Sequence, residues 1–139
     1  MTPEGFSITT DRARLDVDAI YDYLSNHAYW AKGRSRETVE QSIAGSLCFG
    51  LFHGARQVGF GRAITDHATF AYLCDVYVLE EYRGRGLGRW LIDTMMAHPA
   101  LGPSMRLFLR TRDAHALYQR VGFAGITNPE SYMVRPPAR

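Results

Sequence analysis

The sequence predicts an α+β domain, with helices packed on a mostly antiparallel sheet. Three observations predict it. Apolar residues recur at helical spacing near the N-terminus, switch to a period of two through the middle, and then alternate between the two types. The middle strands are joined by a hairpin turn, which makes them antiparallel neighbours. The chain has 139 residues, one domain at roughly 100–200 residues each, so residues 1–139 read as a single unit.

Each element has a local reason. Phe6 to Thr10 alternates weakly and reads as a first strand. Asp16 is a good N-cap for a helix carrying Val17, Ile20, Tyr21 and Leu24 at helical spacing, because its carboxylate can accept a free first-turn N–H. Ser25 to Arg34 is irregular and aromatic, and Ser35 caps a second short helix through Ile43. Leu47 to Phe52 and Gln57 to Thr65 are strands joined by the turn His53-Gly54-Ala55-Arg56. Thr69 to Leu79 is a longer strand, rich in β-branched and aromatic residues. A glycine loop, Arg83 to Gly88, leads into an apolar helix with Trp90, Leu91, Met95 and Met96. It stops near His98-Pro99, since proline cannot continue a helix. Met105 to Leu109 is a further strand, and Asp113 caps a helix from Ala114 to about Val121. Gly122-Phe123 opens a last extended region, with Tyr132 to Val134 as the final strand.

Composition narrows the function classes. Hydrophobic residues make up 46% and charged residues 22%, the balance of a globular rather than a disordered chain. Sixteen basic and fourteen acidic residues leave a net charge of +2, too little for a nucleic-acid partner. Lys32 is the only lysine, and the planar fork of the arginines suits anions. Cys48 and Cys74 stand alone in apolar runs without metal or CxxC spacing, so both read as reduced core thiols and no metal is expected. No apolar stretch precedes the first charges as in a signal peptide. The longest uncharged run, Gln41 to Ala55, holds three glycines and is shorter than the about 20 apolar residues of a membrane span. The expectation is a soluble, cytoplasmic protein without a membrane partner.

The chemistry concentrates after the long strand, in Arg83-Gly84-Arg85-Gly86-Leu87-Gly88-Arg89. Glycines let the backbone approach a ligand closely. The free N–H groups of the following helix point at an anion, and the helix dipole favours negative charge there. Three arginines surround the same spot, making a phosphate or pyrophosphate cradle. A Walker A loop would need a Lys-Ser/Thr pair that is absent here. A Rossmann loop would need its third glycine one residue later and a place at the first strand of a βαβ unit.

Arg83-Gly84-Arg85-Gly86-Leu87-Gly88 resembles the Arg/Gln-x-x-Gly-x-Gly/Ala loop of the GNAT superfamily of acyl-CoA-dependent N-acetyltransferases. About 30 residues downstream, Ala116-Leu117-Tyr118-Gln119-Arg120-Val121-Gly122-Phe123 resembles the ALYxxxGF segment of the same family. The resemblance covers nearly the whole chain. It implies a GNAT-like sheet of six to seven strands, flanked by about four helices.

It also implies roles. The strand before the loop splays from its neighbour, and the pantetheine arm of acetyl-CoA, the co-substrate, lies along the backbone of Val76, Tyr77 and Val78. The N–H of Val76 or Val78 polarises the thioester carbonyl. The pyrophosphate sits on the amides of Arg83, Gly84, Arg85, Gly86, Leu87, Gly88 and Arg89. Tyr118 protonates the leaving thiolate. Thr111 stands where many relatives carry an asparagine that contacts the coenzyme, so that contact is lost or passes to Thr111 or Asp113.

Asp75, beside the expected acetyl site, is the candidate general base, or else it pairs with an arginine. In ideal alternation it faces away from Val76, unless a bulge re-aims it. His115, three residues before Tyr118, shares that helix face. His27, Tyr29 and Trp30, with Lys32 nearby, form the expected amine pocket. An amine's cationic form can sit over an aromatic face.

The expected reaction is acetyl transfer to the primary amine of a small molecule or peptide, by direct attack in a ternary complex. Cys74 is the only candidate for a covalent intermediate, and the resemblance speaks against it. The alternatives are a catalytically silent acyl-CoA sensor on the same fold and transfer of a longer acyl group. A homodimer is compatible with all three.

Overall fold

Two short polar side chains start the first helices. In the computed structural model, which describes residues 3–138, the Asp16 carboxylate accepts from the Ala19 N–H at 3.1 Å and opens α1, Val17–Asn26. The Ser35 hydroxyl accepts from the Thr38 N–H at 3.1 Å and opens α2, Arg36–Ala44. Each cap satisfies a first-turn donor that has no partner inside the helix.

The strands are β1 (Phe6–Thr9), β2 (Leu47–His53), β3 (Arg56–Thr65), β4 (Phe70–Val78) and β5 (Arg106–Leu109). They lie in that order in one sheet. Neighbours are antiparallel up to β4, and β5 runs parallel to β4. The crossover between those two carries α3, Leu87–Ala97, and α4, His115–Gln119, follows β5. The α+β class and the four helices match expectation.

The sheet has five strands among the described residues, not six to seven. Tyr132 to Val134 pairs with no strand; Tyr132 only sets its ring edge-on against Phe108, with centroids 5.7 Å apart. Gly122, Gly125, Pro129, Pro136 and Pro137 punctuate this tail. Prolines remove ladder donors, and three residues between such breaks can form few ladder bonds. The cap expected from Asp113 also does not form. Ala114 holds the cap position, and the Thr111 hydroxyl accepts the Ala114 N–H at 3.0 Å.

Both faces of the sheet are covered. Ile20, Leu24, Val39 and Ile43 of α1 and α2 pack on Phe60 and Tyr77. Leu91, Ile92 and Met95 of α3 and Tyr118 of α4 pack with Phe49, Ala63 and Leu73. β2 and β3 are therefore buried almost continuously rather than alternately. At Gly61 a Cβ would lie 2.7 Å from the Met95 sulfur, so the missing side chain lets α3 settle on β3.

One irregularity positions the site. Phe60 pairs with Tyr77 and Arg62 with Cys74, which leaves Asp75 and Val76 together opposite Gly61. Asp75 has a φ of 54°, in the left-handed region. Such a bulge inverts the alternation of the strand beyond it. Ala71 and Leu73 pack on the α3 face before it and Val76 packs there after it, while Tyr77 joins the α1 face. Asp75 is thereby turned toward the α1–α2 connection.

Candidate active site

The glycine loop is shaped as its sequence suggests. Gly84 and Gly86 both have φ of 78°, and a Cβ on either would meet nothing within 4 Å. Gly86 caps α3 without a side-chain hydrogen bond. The amides of the first turn, Leu87, Gly88 and Arg89, therefore face open space at the positive end of the helix dipole. The arginines divide the work. Arg83 donates through Nε to the Val78 carbonyl at 2.9 Å and through its terminal nitrogen to the Tyr23 hydroxyl at 2.8 Å. Its side chain thus ties the loop to β4 and α1. Arg85 lies 5.0 Å from the Tyr82 ring centroid, and Arg89 is exposed beside the open amides.

The sheet opens next to this cradle. β4 and β5 pair only from Phe70 with Arg106 to Leu73 with Leu109. From Cys74 on, β4 has no strand on that side among the described residues, so the backbone around Val76 and Val78 offers an edge without a strand partner, where only the Val78 carbonyl is taken, by Arg83; Tyr77 pairs with Phe60 of β3. Side chains here are core: Val76 and Val78 pack toward α3, and Tyr77 stacks on Tyr23 with centroids 3.8 Å apart.

A cleft of about 800 Å³ lies at the parting, walled by β4, the β5–α4 connection and the α1–α2 connection. Tyr29, Trp30, Asp75, Val76 and Tyr118 all line it. Asp75 is the hub of one wall. Its Oδ2 accepts from Arg62 Nε at 2.9 Å and Arg34 at 2.8 Å, and its Oδ1 accepts from the Trp30 indole N–H at 2.8 Å. Arg62 also donates to the Ser46 hydroxyl at 3.0 Å. The Asp75 side chain is 1% exposed and that of Arg62 10%. Burial is tolerated because each charge has partners on several sides.

Tyr118 stands where β5, α4 and the cleft meet. Its ring is buried, edge-on to Phe123 at 5.9 Å. Its hydroxyl has no hydrogen-bond partner among the described residues, yet it is not sealed off from solvent. Burial pushes the phenol up to about 12, so at neutral pH it keeps its proton and can donate a hydrogen bond. Cys74 also lines the cleft, and burial pushes its thiol up to about 11.

The structure thus brings Asp75, Val76, Tyr118, Tyr29 and Trp30 around one cavity. His27 does not line it: it is exposed and faces Asp22 at 3.7 Å. Lys32 is exposed and also lies outside the lining. His115 lines a different cavity, of about 720 Å³, between β5 and the tail. Sequence reasoning missed Arg34, Arg62, Arg110 and Arg112, which all line the cleft. The signal for Arg62 was readable: an arginine inside an apolar strand, beside a strand with an aspartate inside it, implies a buried pair.

Residues 44–124 match the family model for the acetyltransferase (GNAT) domain. A Gibberella zeae protein named as a candidate acetyltransferase is 31% identical, over 98% of this chain and 92% of its own length. The crystal structure of a GNAT-family candidate acetyltransferase from Xanthomonas campestris is similar at 46% identity. It has a TM-score of 0.93 and covers 99% of this chain and 96% of that one. A Staphylococcus aureus structure named as an expected acetyltransferase has 25% identity and a TM-score of 0.76, covering 96% of this chain and 99% of that one. The fold and the match to the family model define an acetyltransferase of the GNAT type. The chain belongs to the GNAT family of acetyltransferases. No helix among the described residues is long and apolar enough to cross a membrane.

Proposed function

We propose that the protein is an acetyl-CoA-dependent N-acetyltransferase that works by direct attack in a ternary complex. One observation carries the reading: an unsealed, unpartnered Tyr118 hydroxyl at the point where the β4 edge opens, on the strand that runs on into the glycine loop. Residues 84–89 fit a pyrophosphate, since open amides and missing side chains leave room for it. The β4 edge supplies backbone partners for the pantetheine arm, and a Val76 or Val78 N–H polarises the thioester carbonyl.

The amine nitrogen bonds to the acetyl carbon and the carbon–sulfur bond breaks. The proton lost by nitrogen balances the one gained by sulfur. Tyr118 hydrogen-bonds the developing thiolate. A phenol near 12 is a weaker acid than a thiol near 8.5, so its main effect is to stabilise charge while water or the amine completes the proton balance. Asp75 has three donors on its two oxygens, which favours a positioning role over proton abstraction. The raised Cys74 thiol is a poor nucleophile, in keeping with direct transfer.

The test is acetyl-CoA titration by calorimetry, followed by thiol release over an amine panel with wild type and Tyr118→Phe. The substitution keeps the ring and removes the hydroxyl. Turnover is expected to fall at least about tenfold, with melting temperature and coenzyme affinity nearly unchanged. Wild-type turnover in the variant would remove Tyr118 from the mechanism.

A further inference from the structure

The acceptor's chemistry can be read from the charge of the cleft. Four arginines line it, Arg34, Arg62, Arg110 and Arg112, against two aspartates, Asp75 and Asp113. Asp75 is shared by Arg34 and Arg62, so one carboxylate faces two guanidinium groups. Arg62 is buried and spends its donors on Asp75 and Ser46. Arg34 gives Asp75 a single nitrogen, and its side chain remains 22% exposed toward the cleft. Arg110, at the end of β5, makes no ion pair or side-chain hydrogen bond among the described residues. Arg112 stacks 3.8 Å from the Tyr29 ring centroid and meets Asp113 only at 3.6 Å. Two positive charges are left over in the cleft, and Arg112 lies against its aromatic wall.

We propose that the acceptor is an amine that carries its own anionic group, a carboxylate or a phosphate. Arg34, Arg110 and Arg112 hold that group, and the amino group lies toward Tyr118. This rests on reading the cleft as the acceptor site. Arginine forks match both anions and gain strength where solvent is partly excluded. The same surplus repels polyamines and lysine-rich peptides, which bring like charge. It also disfavours the ammonium form of a bound amine, which helps supply a free amine without a dedicated base. The coenzyme's phosphates do not account for these arginines, because their cradle lies at residues 83–89, beyond the other end of the splayed strand.

The experiment compares matched amines at saturating acetyl-CoA. Phenylalanine is set against phenylalanine amide and phenethylamine, and glucosamine 6-phosphate against glucosamine. At least one anionic member is expected to exceed its neutral partners about tenfold or more in kcat/KM. The two sets separate a carboxylate from a phosphate. In Arg110→Gln combined with Arg112→Gln, KM for that acceptor should rise about tenfold while KM for acetyl-CoA stays fixed, and added salt should shrink the preference. Equal or better use of the neutral members would overturn the proposal. So would an unchanged KM in a folded double variant. Acetyl-CoA binding with no member acetylated would overturn it and leave the coenzyme site standing. No acetyl-CoA binding at all would overturn the parent reading as well.

Discussion

Asp75 shows how one residue can hold a site together. The bulge turns its carboxylate to the cleft side, where it fixes the Trp30 indole and two guanidinium groups. A non-glycine residue at positive φ stores strain, and aspartate is among the few side chains that tolerate it. Removing the carboxylate would leave Arg62 buried with Ser46 as its remaining partner. Breaking a buried pair in this way costs about 3–5 kcal/mol. Asp75→Ala is therefore expected to lose about 3 kcal/mol or more in denaturant unfolding, and Asp75→Asn clearly less, since an amide oxygen can still accept. Equal, small losses in both would mean that the network contributes little. The pairing with arginine was legible in the sequence as a possibility. The direction of the side chain was not, because the bulge depends on how β3 and β4 register against each other.

At the scale of elements, local chemistry decided what could be read. Asp16, Ser35 and the His98-Pro99 stop act within a few residues, and the helices begin or end at them as expected. The tail failed for the opposite reason. A final strand needs a partner edge, and neither alternation nor composition in Tyr132 to Val134 specifies one. The glycine loop was legible because its spacing encodes backbone shape directly. That shape permits a clean test at Gly88, in the first turn of α3. A Cβ there meets only the Val78 methyl, at 3.9 Å, an ordinary contact. Alanine also suits a helix better than glycine by roughly 0.5–1 kcal/mol. Gly88→Ala should therefore melt no lower than wild type and bind acetyl-CoA about as well, since the loop pattern accepts alanine here, whereas in Gly88→Val the branched side chain blocks the approach to the amides and affinity should fall at least about tenfold. Unchanged affinity of Gly88→Val by calorimetry would place the pyrophosphate elsewhere. Gly86 cannot serve this purpose, because its φ of 78° would strain any side chain whether or not a ligand binds.

At the scale of the whole molecule, the composition isolates one kind of titration. Fifteen of the sixteen basic residues are arginines, which stay charged throughout the alkaline range, and Lys32 is exposed. What changes is a small set of buried acids. Burial pushes the Cys48 and Cys74 thiols up to about 11 and the Tyr118 phenol up to about 12, and it raises the Tyr77 phenol further still. In the unfolded chain, thiols ionise near 8.5 and phenols near 10. Below about pH 8 both states hold these protons, and the groups do not affect stability. As pH rises through 9 to 11, the unfolded chain loses them first and binds fewer protons than the native state. Stability therefore falls with rising pH across that window. The melting temperature should be nearly flat from pH 7 to 8 and then decline steadily to pH 11. Tyr77→Phe keeps the ring stacked on Tyr23 and tilted against Phe60 and removes the ionisable hydroxyl. Its melting temperature should fall less between pH 9.5 and 11 than that of wild type. Cys48→Ala leaves a small cavity and melts lower at every pH, but its decline should be shallower from pH 8.5 upward. Thermal melts at constant ionic strength measure both slopes. Parallel curves for all three proteins would mean that these groups are not the ones that limit alkaline stability.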